Sequence, residues 1–77
     1  MKVCVRVYSS SKYNHASEKV AECEYNIKSY EVREIPDAEI YLMGFDDVDP
    51  CGEYLILKLE SGETSTFRNS LCDMFRV

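Results

Sequence analysis

The sequence predicts a mostly β, antiparallel mini-domain, and three features carry that prediction. Tyr54-Leu55-Ile56-Leu57-Lys58-Leu59-Glu60 places leucine at every second position, the period of side chains on one face of a strand. Ser61-Gly62 follows; glycine reaches positive φ without a Cβ clash and serine bonds nearby backbone, so the strand turns back as a hairpin. Near the start, Val3, Val5 and Val7 alternate with Cys4, Arg6 and Tyr8. The expected architecture is one domain, residues 1–77. It is a twisted sheet of four to five strands, either open or closed into an SH3-like or OB-like barrel, with a short C-terminal helical turn.

The hairpin's register follows from its loop. A turn over Glu60-Ser61-Gly62 with Gly62 in the left-handed region sets Leu59 against Glu63, Leu57 against Ser65 and Leu55 against Phe67. Phe67 then joins the leucine face. A two-residue loop would move it to the face of Ile56, and the first register is preferred because it gathers the large apolar residues. It leaves Tyr54, Ile56, Lys58, Thr64, Thr66 and Arg68 on a second, mixed face of the kind an antiparallel sheet turns to water.

Earlier in the chain, residues 2–9 form the first strand, valines inward. Ser9 to His15 is polar and turn-rich, a loop. Ala21, Cys23, Tyr25 and Ile27 alternate strictly with Glu22, Glu24, Asn26 and Lys28, which fits a half-buried strand better than a helix without leucine and makes Cys23 an expected core residue. Tyr30, Val32 and Ile35 continue it through a bulge until Pro36 withholds a backbone donor. Residues 36–43 carry two signals. Pro first, acids next and Gly44 at the end mark a short helix, whereas Ile40-Tyr41-Leu42-Met43 is equally a four-residue buried strand, the reading preferred here. DDVDPCG, residues 46–52, is an acidic loop, and Ser70-Leu71-Cys72-Asp73 has capping-box spacing for a last turn.

Seventy-seven residues bury only about 60–65% of the unfolded surface, so stability is modest, about 4–11 kcal/mol. Six tyrosines and three phenylalanines suffice for a core. The opening alternates instead of forming an apolar run, and no stretch approaches the ~20 residues of a membrane span, which points to a cytoplasmic protein with no membrane partner. The cysteines stand at 4, 23, 51 and 72 without the close spacing of a knuckle or redox motif; free thiols are expected, and Cys51, in the acidic loop, is the expected reactive one.

Charge is segregated. From Ala21 to Glu53 ten acids face Lys28 and Arg33, a balance of −8, while residues 1–20 are net basic. That excludes a direct nucleic-acid binder, which needs a basic footprint, and favours a protein partner with a basic surface. The candidate contact residues are Asp46, Asp47 and Asp49 of the loop, with Glu31, Glu34, Asp37 and Glu39. Tyr30 and Tyr41 are the interleaved anchors, although tyrosine beside glutamate is also ordinary strand composition. Asp46, Asp47 and Asp49 are expected to be surface charges replaceable by asparagine without loss of stability.

Catalytic and metal chemistries find little support. Asp47-Val48-Asp49-Pro50-Cys51-Gly52 resembles the opening of a calcium loop, but Cys51 and Lys58 stand where two oxygen ligands belong, and nothing joins the four cysteines into a zinc site. His15 is the sole histidine and lies beside no nucleophile pattern. No metal, cofactor or enzymatic activity is expected. In size, acidity and tolerance of cysteine the whole chain resembles short phage- and mobile-element-encoded accessory proteins, and it is similar in size and charge to anti-CRISPR inhibitors. No motif is shared, so no residue role is carried over. The resemblance implies a viral inhibitor that occupies a nucleic-acid site on its target in the host cytoplasm. The alternative is a structural module that pairs an exposed strand edge, or its Tyr54/Ile56 face, with a copy of itself.

Overall fold

The computed structural model describes residues 1–45 and 48–77. It is mostly β, with five antiparallel strands in one open sheet: β1 (Lys2–Tyr8), β2 (Lys19–Glu34), β3 (Glu53–Leu59), β4 (Thr64–Arg68) and β5 (Cys72–Arg76), in the order β4-β3-β2-β1-β5. The helix α1 (Asp37–Leu42) lies between β2 and β3, and a 3-10 turn (Asn69–Leu71) between β4 and β5. The ladder ends at β4 and β5, so the sheet does not close into a barrel. None of the described helices is long and apolar enough to cross a membrane.

β2 organises the rest. Its first half pairs with β1, from Tyr8↔Lys19 to Lys2↔Asn26, and its second half pairs with β3, from Ile27↔Leu59 to Glu34↔Glu53. The ladder slips between Ile27 and Ser29. That extra residue reverses the alternation, which is why Ile27, Tyr30 and Val32 share one face although they are spaced three and then two apart. Valines from β1 and leucines from β3 then meet: Val3, Val5, Ile27, Leu55, Leu57 and Cys72 form the principal core, with Tyr25, Phe67 and Met74 packed against it.

The hairpin has the register its loop dictates, with Leu55↔Phe67, Leu57↔Ser65 and Gly62 at φ +94°. Leu59 donates to the Glu63 carbonyl at 2.9 Å. The second face differs from expectation. Tyr54 and Ile56 are buried, in a smaller cluster with Ile35 and Ile40 and with Phe45 packed on it. The cover is α1: within residues 36–43 the chain forms a helix over Asp37–Leu42, not a strand, because only Ile40 of the run Ile40–Met43 is buried, while Leu42 is 89% exposed. Ile40 N–H bonds the Pro36 carbonyl, and Gly44 ends the helix at φ +81°. The fifth strand lies instead at 72–76, against β1.

Candidate functional site

The candidate acids and anchors occupy several surroundings. Glu31, Glu34, Asp37 and Glu39 are all exposed. Glu34 ends β2, where antiparallel pairing sets it against Glu53. Ile35 and Ile40, both buried, fasten the segment after it over Tyr54 and Ile56, so Asp37 and Glu39 are held on a fixed support. An open depression of about 440 Å³, lined by Glu34, Ile35, Pro36, Asp37, Cys51 and Gly52, lies at this junction. Next to the acids of α1 stands an exposed apolar run, Tyr41, Leu42 and Met43, at 58%, 89% and 50% exposure.

The charge balance here contrasts with the rest of the molecule. Among the described residues the side-chain ion pairs are Lys2–Glu24 (3.3 Å), Arg6–Glu22 (2.5 Å), Lys12–Asp73 (3.6 Å) and Lys19–Glu22 (3.4 Å). All of them lie on β1, β5, the first half of β2 or the loop that follows β1. Arg6 also stacks on Phe75 at 4.5 Å. The Arg6 guanidinium holds the Glu22 carboxyl below its ordinary value. Glu31, Glu34, Asp37 and Glu39 have no ion pair among the described residues.

The structure does not bring every expected residue to this surface. Tyr30 is half exposed but lies elsewhere, on a groove with Met1, Val3, Met74, Phe75 and Arg76. It faces the principal core while Glu31 faces the opposite side of β2. Asp46 and Asp47 lie outside the described residues.

Asp49 corrects the expectation outright. It is 2% exposed, and one carboxylate oxygen accepts the backbone N–H of Cys51 (2.8 Å) and of Glu53 (3.2 Å). The other accepts the Ser70 N–H at 3.1 Å and the Ser70 hydroxyl. Asp49 N–H in turn donates to the Tyr54 hydroxyl at 2.9 Å. Burial by itself would raise its pKa, but these bonds favour the carboxylate and bring it below the ordinary aspartate value. Asp49 is an internal staple joining the 48–52 loop, β3 and the 3-10 turn, so its exchange for asparagine is not neutral. Ser70 serves this staple and makes no capping bond. The missed signal was present: Asp-Pro-x-Gly is a type I turn pattern in which the aspartate bonds backbone two residues on, and Gly52 N–H does bond the Asp49 carbonyl.

The four cysteines are free thiols. Cys51 is exposed as expected, but so is Cys23. β3 joins β2 only from Ile27 onward, so among the described residues no strand flanks Cys23 on that side. Burial raises the Cys72 thiol to about 11 and, with Glu22 nearby, raises Cys4 as well; neither is a reactive thiolate at neutral pH. His15 is exposed in its loop. No family model, curated protein or solved structure matches the chain.

Proposed function

We propose that this chain is a protein-binding module whose docking surface is α1 and the strand end that leads into it. Tyr41 and Leu42 supply the apolar contact, and Glu31, Glu34, Asp37 and Glu39 supply a negative surround matched to a basic partner. One observation carries the reading: among the described residues the side-chain ion pairs all lie on the β1–β5 side and none includes Glu31, Glu34, Asp37 or Glu39, the last two on the same short helix as the most exposed leucine of the chain. Unpaired like charges around an apolar centre raise the encounter rate with a basic surface, and the centre then slows release.

A groove that holds nucleic acid carries the Lys and Arg excess its phosphates require, so it is the partner surface this charge fits. Covering it makes the chain an inhibitor. The test is capture from a lysate of the native host at low salt, followed by salt elution, with parent and a Glu34→Gln/Asp37→Asn/Glu39→Gln variant side by side. The expected result is a nucleic-acid-handling protein retained by the parent and lost from the variant. A partner held equally by both would sink the assignment of this surface. Tyr41→Ala is expected to accelerate dissociation with little change in association.

A further inference from the structure

β2 is paired on both sides nowhere along most of its length. Its second half, from Lys28 to Glu34, has β3 on one side and, among the described residues, no strand on the side that β1 occupies earlier. Every residue from Lys28 to Glu34 is exposed, with Tyr30 at 51% and Val32 at 50%. The Tyr30 groove, about 390 Å³ and lined also by Met1, Met74 and Phe75, lies on the same face. Open edges are usually blunted by charge. Here the charges alternate in sign along the edge, which repels a chance strand less than it selects a complementary one.

We propose that two copies of this chain associate by antiparallel pairing of this edge, residues Tyr30–Glu34, about a two-fold axis at Val32. In that register Glu31 stands opposite the partner's Arg33 and Arg33 opposite the partner's Glu31. Val32 meets its own copy, and Tyr30 lies diagonal to it. Opposite charges and apolar pairs directly across a ladder are the stabilising combinations, and a two-fold interface is self-complementary by construction. The register shifted by one residue at each strand, centred on Glu31, would set two carboxylates face to face and run into the irregular backbone after Ile27. Pro36, without an N–H, ends the ladder on the other side. This interface uses the opposite edge of β2 from β3; it shares Glu31 and Glu34 with the docking surface proposed above, while Asp37, Glu39, Tyr41 and Leu42 lie outside it.

The experiment is sedimentation equilibrium of the whole chain from about 1 µM to about 1 mM, a range chosen because so short a ladder gives micromolar affinity. The parent is expected to pass from 8.9 kDa to twice that mass. Glu31→Arg sets arginine against arginine twice and weakens association by about ten-fold or more. Arg33→Glu does the same with carboxylates. The double exchange Glu31→Arg/Arg33→Glu restores both pairs and returns the dimer. Circular dichroism verifies folding, and either single variant suffices if the other unfolds. A parent that stays monomeric throughout, or a dimer that the double exchange does not rescue, overturns the proposal.

Discussion

The two halves of β2 are built from similar residues and held in different ways. The half that pairs with β1 answers its charges on the surface: Glu22 lies between Arg6 and Lys19, and Glu24 meets Lys2. The half that pairs with β3 leaves Glu31 and Glu34 unanswered and is secured from beneath, by Ile35 and Ile40 against Tyr54 and by Asp49 inside the loop. Exposed ion pairs contribute little to stability, whereas a buried, fully bonded carboxylate is costly to disturb. The side with unpaired surface charge is therefore held by a small buried cluster and a bonded carboxylate in place of surface ion pairs. If that surface is kept free for a partner, as proposed, it cannot also supply its own stabilisation, which falls to the interior below it.

The largest expected effect breaks this arrangement from within. Asp49→Ala strands the Cys51, Glu53 and Ser70 donors and costs about 3 kcal/mol, a large share of the total; Asp49→Asn keeps one acceptor and costs about 2 kcal/mol. Urea denaturation measures both, and a loss below about 0.5 kcal/mol would show that the staple is not structural. Ile40→Ala, with Ile40 fully buried on the inner face of α1, belongs to the same class at about 3 kcal/mol. Its loss removes the support of Asp37 and Glu39 as well.

The same carboxylate sets a pH dependence. Its folded pKa lies below the ordinary value, so its contribution is complete above the unfolded value of about 3.9 and is lost as pH falls through the lower folded value. The parent's stability should fall more steeply over that acid range than that of Asp49→Asn. Parallel urea midpoints for the two proteins from pH 5 downward would remove Asp49 as the cause.

A smaller effect lies at the hairpin. A Cβ on Gly62 meets nothing within 4 Å, but φ is +94°, so Gly62→Ala costs about 1 kcal/mol through backbone conformation alone. This element was the most legible in the sequence, because leucine alternation and a glycine turn leave one register that packs Phe67 against the leucine face. The bulge in β2 was legible for a similar reason: Ile27 and Tyr30 can share a face only if a residue is inserted between them. Residues 36–43 were not, since a short apolar run satisfies either period and the deciding fact, that Ile40 alone is covered, belongs to packing with Tyr54 and Ile56. Asp49 was hidden by its acidic neighbours, whose charge invited a surface reading of the whole loop.

The smallest effect discriminates between the two halves most directly, because one substitution made twice should change sign. Glu22→Gln removes the partner of Arg6 and Lys19 and should lower the melting temperature by about 1–4 °C at low salt. Glu34→Gln removes a carboxylate that faces Glu53 across the ladder, where like charges directly opposite are unfavourable, and should raise it by about 1–2 °C. Salt screens exposed charges over about 8–10 Å, so both differences should shrink together as ionic strength rises. Scanning calorimetry of the two variants at low and high salt reads all four values. If Glu34→Gln instead melts lower than the parent, its charge is answered within the molecule, and the acidic side is not held free for a partner.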